Sequence, residues 1–320
     1  MGRNFGQERV VMCFALLLAA VFTIAVPGFA SWDNAMALLR SIAVIGVLGL
    51  GMAVVIIGGG IDLSQIVVAL VSAGGAALMV NAGFDVSVAL LTGLLVALLL
   101  GAANGIFVAC FGIPSLFATL ASALLFMGLA RSTVMPSTII NLPPGGGSFL
   151  FLGANWSGIP VPVIVFAGCA LAVHLFLART VPGRFIYALG DNPSAAWLAG
   201  LPVRWLTVMT FVFAAAIGYL GGLVMVASTA MVDLGTAKST MVFDVILVAV
   251  AGGVSLAGGR GSVASVLAGT MFVGVLLNGM ALLDVNSQVQ TIIKGSLLLT
   301  AIVFDSRLRS QDEEAEQQGV

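Results

Sequence analysis

Five side chains able to do chemistry lie inside or against apolar runs: Asp62, Asn104, Asp244, Asn278 and Lys294. Each is expensive to place in hydrocarbon, so each is a candidate for a solute pathway or an ion relay. Ser64, just beyond Asp62, joins Asp62, Asn104 and Asn278 as a pathway candidate. Plainer readings stand beside these: a helix cap after a glycine run for Asp62, inter-helix hydrogen bonding for Asn104 and Asn278, and an outward-snorkelling chain for Lys294. Other chemistry is missing. GTAKST (235–240) has a lysine before Ser-Thr, but Ala237 stands where a phosphate loop needs the glycine before its lysine, and Val232 where it needs its first glycine. HExxH and GxSxG are absent. The single histidine, His174, has no visible catalytic partner, and Cys13, Cys110 and Cys169 lack metal or disulfide spacing. No catalytic residue and no metal site are expected, and an enzyme is not the expected reading.

The elements that must hold these residues are membrane helices. Of 320 residues, 60% are hydrophobic and 8% charged, against roughly 25% charged in soluble domains. The expected fold class is all-α: a polytopic membrane helix bundle of about ten spans, some broken or re-entrant, forming one domain over 1–320. A span needs roughly 20 apolar residues, and the runs are 10–29, 38–57, 65–82, 88–111, 115–130, 161–178, 206–227, 243–257, 263–283 and 289–304. Forty glycines suit closely approaching helices. The first run follows Arg3 and Arg9 and is read as a retained helix, not a cleaved leader. SWDNAMALLR (31–40) reads as an interfacial turn of helix.

Two glycine-rich stretches interrupt the pattern, GGGIDLS at 58–64 and AGGVSLAGGRGS at 251–262. Gly59 and Gly60 in the first, with Gly252, Gly253, Gly259 and Gly261 in the second, mark breaks whose free backbone groups need protein or a watery cavity around them. Their shared pattern is either a parallel internal repeat or coincidence in a glycine-rich chain. The longest cationic connection runs over 179–205. Within it Asn192-Pro193 reads as the start of a short helix and Gly200 with Pro202 as its stop. Ala195, Ala196, Trp197 and Leu198 then form a knob suited to another protein's groove, or a turn resting on lipid headgroups with Trp197 and Trp205 at the interface. With the N-terminus inside, eight Lys and Arg fall on the cytoplasmic side and four on or near the other. That places both termini, the 179–205 loop and the acidic tail (305–320) in the cytoplasm, and the Pro- and Gly-rich loop 132–160 outside. The residues leave two energy sources open: a cytoplasmic ATPase docked on 179–205, or ions coupled through Asp62 and Asp244.

Several stretches together resemble the membrane permease subunits of bacterial ABC importers for monosaccharides, the ribose-type branch. They are GGIDLS (59–64), Asn104-Gly105, Ile113-Pro114-Ser115, Thr119-Leu120, GRFIYALGDNPSAAWLAGL (183–201), Asp244, GGVSLAGGRGS (252–262), Asn278-Gly279 and Lys294-Gly295. The resemblance covers nearly the whole chain. It implies a bacterial inner-membrane permease that binds a cytoplasmic ATP-binding subunit, receives a sugar from a periplasmic binding protein, and pairs with a second permease copy or paralogue. It also implies that ATP and Mg are held on the ATPase, with no cofactor on this chain and no nucleic-acid partner. The family's coupling segment maps onto Gly190 to Gly200, with Arg184, Gly190, Asn192, Ala195, Ala196, Trp197 and Gly200 as the ATPase-coupling residues. An ion-coupled secondary transporter is the alternative. Two departures stand out: Gln65-Ile66-Val67 replaces the usual Val-Gly-Ser, and Trp197 stands where a basic residue is usual.

Overall fold

The computed structural model describes residues 6–142, 148–238 and 240–317. Twelve α-helices make up most of it: α1 (Gln7–Ala25), α2 (Trp32–Ile57), α3 (Gln65–Asn81), α4 (Val86–Ala109), α5 (Ser115–Thr133), α6 (Val161–Arg179), α7 (Val181–Asp191), α8 (Pro193–Leu198), α9 (Val203–Thr229), α10 (Met241–Gly252), α11 (Val263–Leu282) and α12 (Ser287–Gln317). Eight of them (α1, α2, α4, α5, α6, α9, α11, α12) are long and apolar enough to cross a membrane, while α3 and α10 are shorter apolar helices. The chain is an all-α, multi-pass membrane bundle. The ten apolar runs correspond to these ten helices, and the two short ones each adjoin a glycine break.

The bundle is built around α2, which is buried almost continuously from Ile42 to Ile57. It packs against α6, α9, α10 and α11, and α9 in turn covers α3 and α4. Glycine permits the closest of these approaches: a methyl group on Gly101 or Gly105 of α4 would collide with α9 backbone, and one on Gly222 of α9 with the Ala69 carbonyl of α3. By contrast α1 lies at the periphery on α11, and α12 on α10, so both leave long apolar faces outward.

Residues 31–40 are not a separate interfacial helix. Ser31 caps α2 by accepting from the Asn34 amide at 3.2 Å, and helix runs unbroken from Trp32 because neither proline nor glycine intervenes before Gly46. The expected turn-rich loop between α5 and α6 contains short ordered pieces. Strand β1 (Ile139–Asn141) pairs antiparallel with β4 (Met231–Asp233), and β2 (Asn155–Trp156) pairs with β3 (Ile159–Pro160) across Ser157 and Gly158. Arg40 fastens this loop to α2, donating to the Gly153 carbonyl at 2.6 Å and to Asn155 Oδ1 at 2.8 Å. The Pro143-Pro144-Gly145-Gly146-Gly147 part of the loop lies outside the described residues. All four tryptophans are exposed, Trp32 and Trp156 at this end of the bundle and Trp197 and Trp205 at the other.

Candidate functional site

The 179–205 connection contains two helices where the sequence suggested one. Thr180 starts α7: its Oγ1 accepts from the Gly183 amide at 3.1 Å, and Pro182 occupies the first turn. Helix α7 is amphipathic, burying Gly183, Ile186, Leu189 and Gly190 and leaving Arg184 exposed. Asn192 breaks it and caps α8, its Oδ1 accepting from the Ala195 amide at 2.9 Å. At the far end Gly200 adopts φ +81°, and the amides of Gly200 and Leu201 return to Trp197 and Ala196. The expected knob is reshaped, because Ala196 turns inward at 4% exposure while Trp197 (69%) and Leu198 (78%) project. Beside them runs a groove of about 1000 Å³ whose lining includes Pro193, Trp197, Leu198, Leu201, Arg204 and Trp205.

The first break, 58–64, is clamped by α4 and α5. The Ile61 amide donates to Ser115 Oγ at 3.1 Å and the Leu63 amide to Thr119 Oγ1 at 3.0 Å. Backbone groups freed by the break are therefore met by hydroxyls spaced one turn apart on α5. Asp62 Oδ1 accepts from the Ser64 amide at 2.9 Å and from Ser64 Oγ at 2.6 Å, and Ser64 Oγ accepts from Asn104 Nδ2 at 2.6 Å. All three side chains are buried. Burial pushes the Asp62 carboxyl up to about 6, against the lowering effect of the two Ser64 bonds. Gln65 does not prevent the bend. It opens α3 fully buried, donates from Nε2 to the Leu48 carbonyl of α2 at 2.8 Å, and occupies space beside Gly51 and Gly218.

The second break, 253–262, is a compact loop. Gly253, Gly258, Gly259 and Gly261 all take positive φ, and the Ser255 amide bonds to the Arg260 carbonyl at 3.1 Å. Gly252 packs on the Ser265 carbonyl of α11, and Gly253 lies beside Gln7.

These three segments meet at one point. The Gly259 amide donates to the Ile57 carbonyl at 2.9 Å, satisfying a carbonyl that the end of α2 leaves free. Tyr187 of α7 donates its hydroxyl proton to the Gly261 carbonyl at 2.9 Å. Gly190 lies between the breaks: a Cβ on Gly59 would sit 3.4 Å from the Gly190 Cα, and one on Gly258 only 2.6 Å from the Gly190 carbonyl oxygen. The structure thus gathers Gly59, Gly60, Asp62, Ser64, Asn104, Gly190, Gly259 and Gly261 into a single junction at the foot of α7.

Asn278 lies elsewhere. At the opposite end of the bundle it exchanges two amide hydrogen bonds with Asn34, at 3.0 and 2.8 Å, joining α11 to α2. Asp244 and Lys294 join α10 to α12 in the same half: Lys294 Nζ is 2.8 Å from Asp244 Oδ1, donates to Oδ2 at 3.0 Å, and reaches Thr240 Oγ1 at 2.8 Å. Tyr187 and Asp305, both part of the junction's surroundings, were not singled out from sequence. Tyr187 lies within the 183–201 stretch, but nothing local marks either residue, since their partners, the Gly261 carbonyl, the Ser255 hydroxyl and the Leu256 amide, belong to a remote loop.

Arranged this way, the junction is a set of hydrogen bonds and close packing contacts between elements. The family model described as "Branched-chain amino acid transport system / permease component" matches residues 34–302. The chain is 32% identical to the ribose import permease protein RbsC of Bacillus subtilis (strain 168), over 91% of this chain and 90% of the relative. It is 35% identical to the L-arabinose ABC transporter permease protein AraH of Azospirillum brasilense, over 95% and 89%, and 30% identical to RbsC of Escherichia coli (strain K12), over 94% of each. No solved structure matches. With the matched region taking in both glycine breaks, α7, α8 and the polar pairs at the opposite end, the chain belongs to the transport permease family that includes these ABC import permeases.

Proposed function

We propose that this chain is the membrane permease of an ATP-binding-cassette importer that moves a monosaccharide by alternating access, and that α7 and α8 receive a separate cytoplasmic ATPase. ATP and Mg are bound on that subunit. A periplasmic binding protein delivers the sugar at the Trp32 and Trp156 end, and a second permease copy or paralogue completes the pathway. Ribose and arabinose are the sugars named for the relatives and the first to test. The observation carrying this reading is the pairing of an exposed Trp197 and Leu198, next to a large groove, with a foot locked into both glycine breaks. Exposed apolar side chains on so short a helix call for a partner surface. The distribution of Lys and Arg supports placing this end, and both termini, in the cytoplasm.

Trp197→Glu and Leu198→Glu test the docking, since both side chains are exposed and the changes spare the fold. Ala196→Glu would not serve, because it buries a charge inside the chain. Co-purification with the candidate ATPase should weaken on the order of thirtyfold for Trp197→Glu, the scale of an aromatic anchor at an interface. Undiminished association would return these residues to the lipid-headgroup reading. Uptake of ribose or L-arabinose into vesicles with internal ATP and the ion gradient collapsed tests the energy source; uptake that follows the gradient and ignores ATP would overturn the proposal.

A further inference from the structure

Loop 253–262 is held from three sides by elements remote from one another in sequence. From α12, Asp305 Oδ2 accepts from Ser255 Oγ and from the Leu256 amide, each at 3.1 Å. From α7, Tyr187 bonds to the Gly261 carbonyl, and from α2 the Ile57 carbonyl accepts from Gly259. Within the loop, the Gly258 amide bonds to the Ser255 carbonyl at 3.0 Å. A glycine-rich connection fastened at so many points is a rigid plug, because its left-handed residues are spent on a tight path that the bonds then fix.

The connectivity gives this plug a role. Helix α7 follows α6 across Thr180, α8 leads into α9 through residues 199–202, and α7 packs on α2, α6 and α9. A displacement of the docking segment reaches those helices directly. Helices α10 and α11 are instead joined to each other by the loop itself, and α12 is tied to it through Asp305 and to α10 through the Lys294 and Asp244 pair. We infer that loop 253–262 is a hydrogen-bonded link that carries movement of the docking segment to α10, α11 and α12, alongside the packing of α10 and α11 on α2, with Tyr187 and Asp305 as its positioning residues. This rests on the docking reading under Proposed function. Tyr187 links the loop to the moving segment. Asp305 makes α12 follow.

The test uses the full permease reconstituted with its ATPase and measures sugar taken up per ATP hydrolysed, with ribose or L-arabinose, whichever the wild type transports. Absence of ATPase binding or of ATP-driven uptake in the wild type would remove the docking reading itself, and the relay with it. With those in place, Asp305→Ala should lower the uptake per ATP by about fivefold to tenfold, the effect of losing bonds made to a charged acceptor. Membrane abundance and ATPase co-purification should stay normal, which separates positioning from folding. Asp305→Asn keeps an oxygen acceptor and should recover most of the coupling. Tyr187→Phe, lacking only the hydroxyl, should shift the ratio in the same direction and decides the matter if Asp305→Ala fails to reach the membrane. A wild-type ratio in Tyr187→Phe, or an Asp305→Asn no better than Asp305→Ala, would overturn the inference.

Discussion

Gly190 lies against the carbonyl oxygen of Ile57 so closely that a methyl group in place of its hydrogen would overlap that oxygen and come within 2.6 Å of the Gly259 amide nitrogen. Both neighbours are backbone, and neither can rotate aside. Gly190→Ala should therefore force the docking segment away from the breaks at a cost of roughly 1–3 kcal/mol. Uptake should fall more than membrane abundance does. Gly168→Ala in α6, where a Cβ meets nothing within 4 Å, is the matched control and should transport normally. Equal transport by the two variants would show that the close approach at Gly190 is dispensable.

Asp62 gives a pH dependence with a definite sign. Its folded-state value of about 6 lies above the ordinary 3.8, so the folded state binds its proton more tightly than the unfolded chain does. The resulting penalty is absent below about pH 4, grows between about pH 4 and 6, and is complete above that, on the order of 3 kcal/mol. Asp62→Asn keeps an acceptor for the Ser64 amide and removes the ionisation. Thermal unfolding in detergent should show wild type losing stability relative to Asp62→Asn as pH rises through this window, and matching trends in acid. A gap that is the same at acid and neutral pH would contradict the assignment.

The Lys294 and Asp244 pair, with side chains 12% and 10% exposed, is expected to matter most when half broken. Lys294→Met leaves a desolvated carboxylate, at a cost of about 3–5 kcal/mol. The double variant Asp244→Asn with Lys294→Met removes the stranded charge and should recover most of the folded fraction. Size-exclusion profiles in detergent read this directly, and a double variant as poorly folded as the single one would count against it.

Orientation is testable without any partner. In a background lacking Cys13, Cys110 and Cys169, Ser157→Cys in the exposed turn between β2 and β3 should react with an impermeant thiol reagent added to spheroplasts. Ser194→Cys in α8 should react only after the membrane is opened. Labelling of Ser194→Cys from outside would invert the topology and remove the ATPase docking face from the cytoplasm.

The spans were legible because apolar runs of membrane length have few other outcomes, and the start of α8 because Asn192-Pro193 is a local signal. Helix α7 was not legible. Gly183 and Gly190 look like helix breakers in sequence, yet Gly183 is required where α7 meets the Phe176 carbonyl of α6, and Gly190 where it meets Ile57. Contacts with distant segments, not local preference, decide both positions. For the same reason Asn104 and Asn278, alike in sequence, separate in space: one belongs to the Asp62 and Ser64 cluster and the other pairs with Asn34 at the opposite end. Only the helix packing distinguishes them. Ser115 and Thr119 had the right spacing to act together, but no local feature shows that they meet a loop rather than a neighbouring helix.

The placement of the four tryptophans has a spectroscopic consequence. Trp32, Trp156, Trp197 and Trp205 are each more than half exposed, and none reports on the buried length of α2 or α9. Intrinsic emission from this protein is thus a measure of its two surfaces. Two of the four fluorophores flank the groove beside α8, so binding there should shift their emission, while an unfolding curve followed by the same signal would register changes at the ends of the helices before the core had separated.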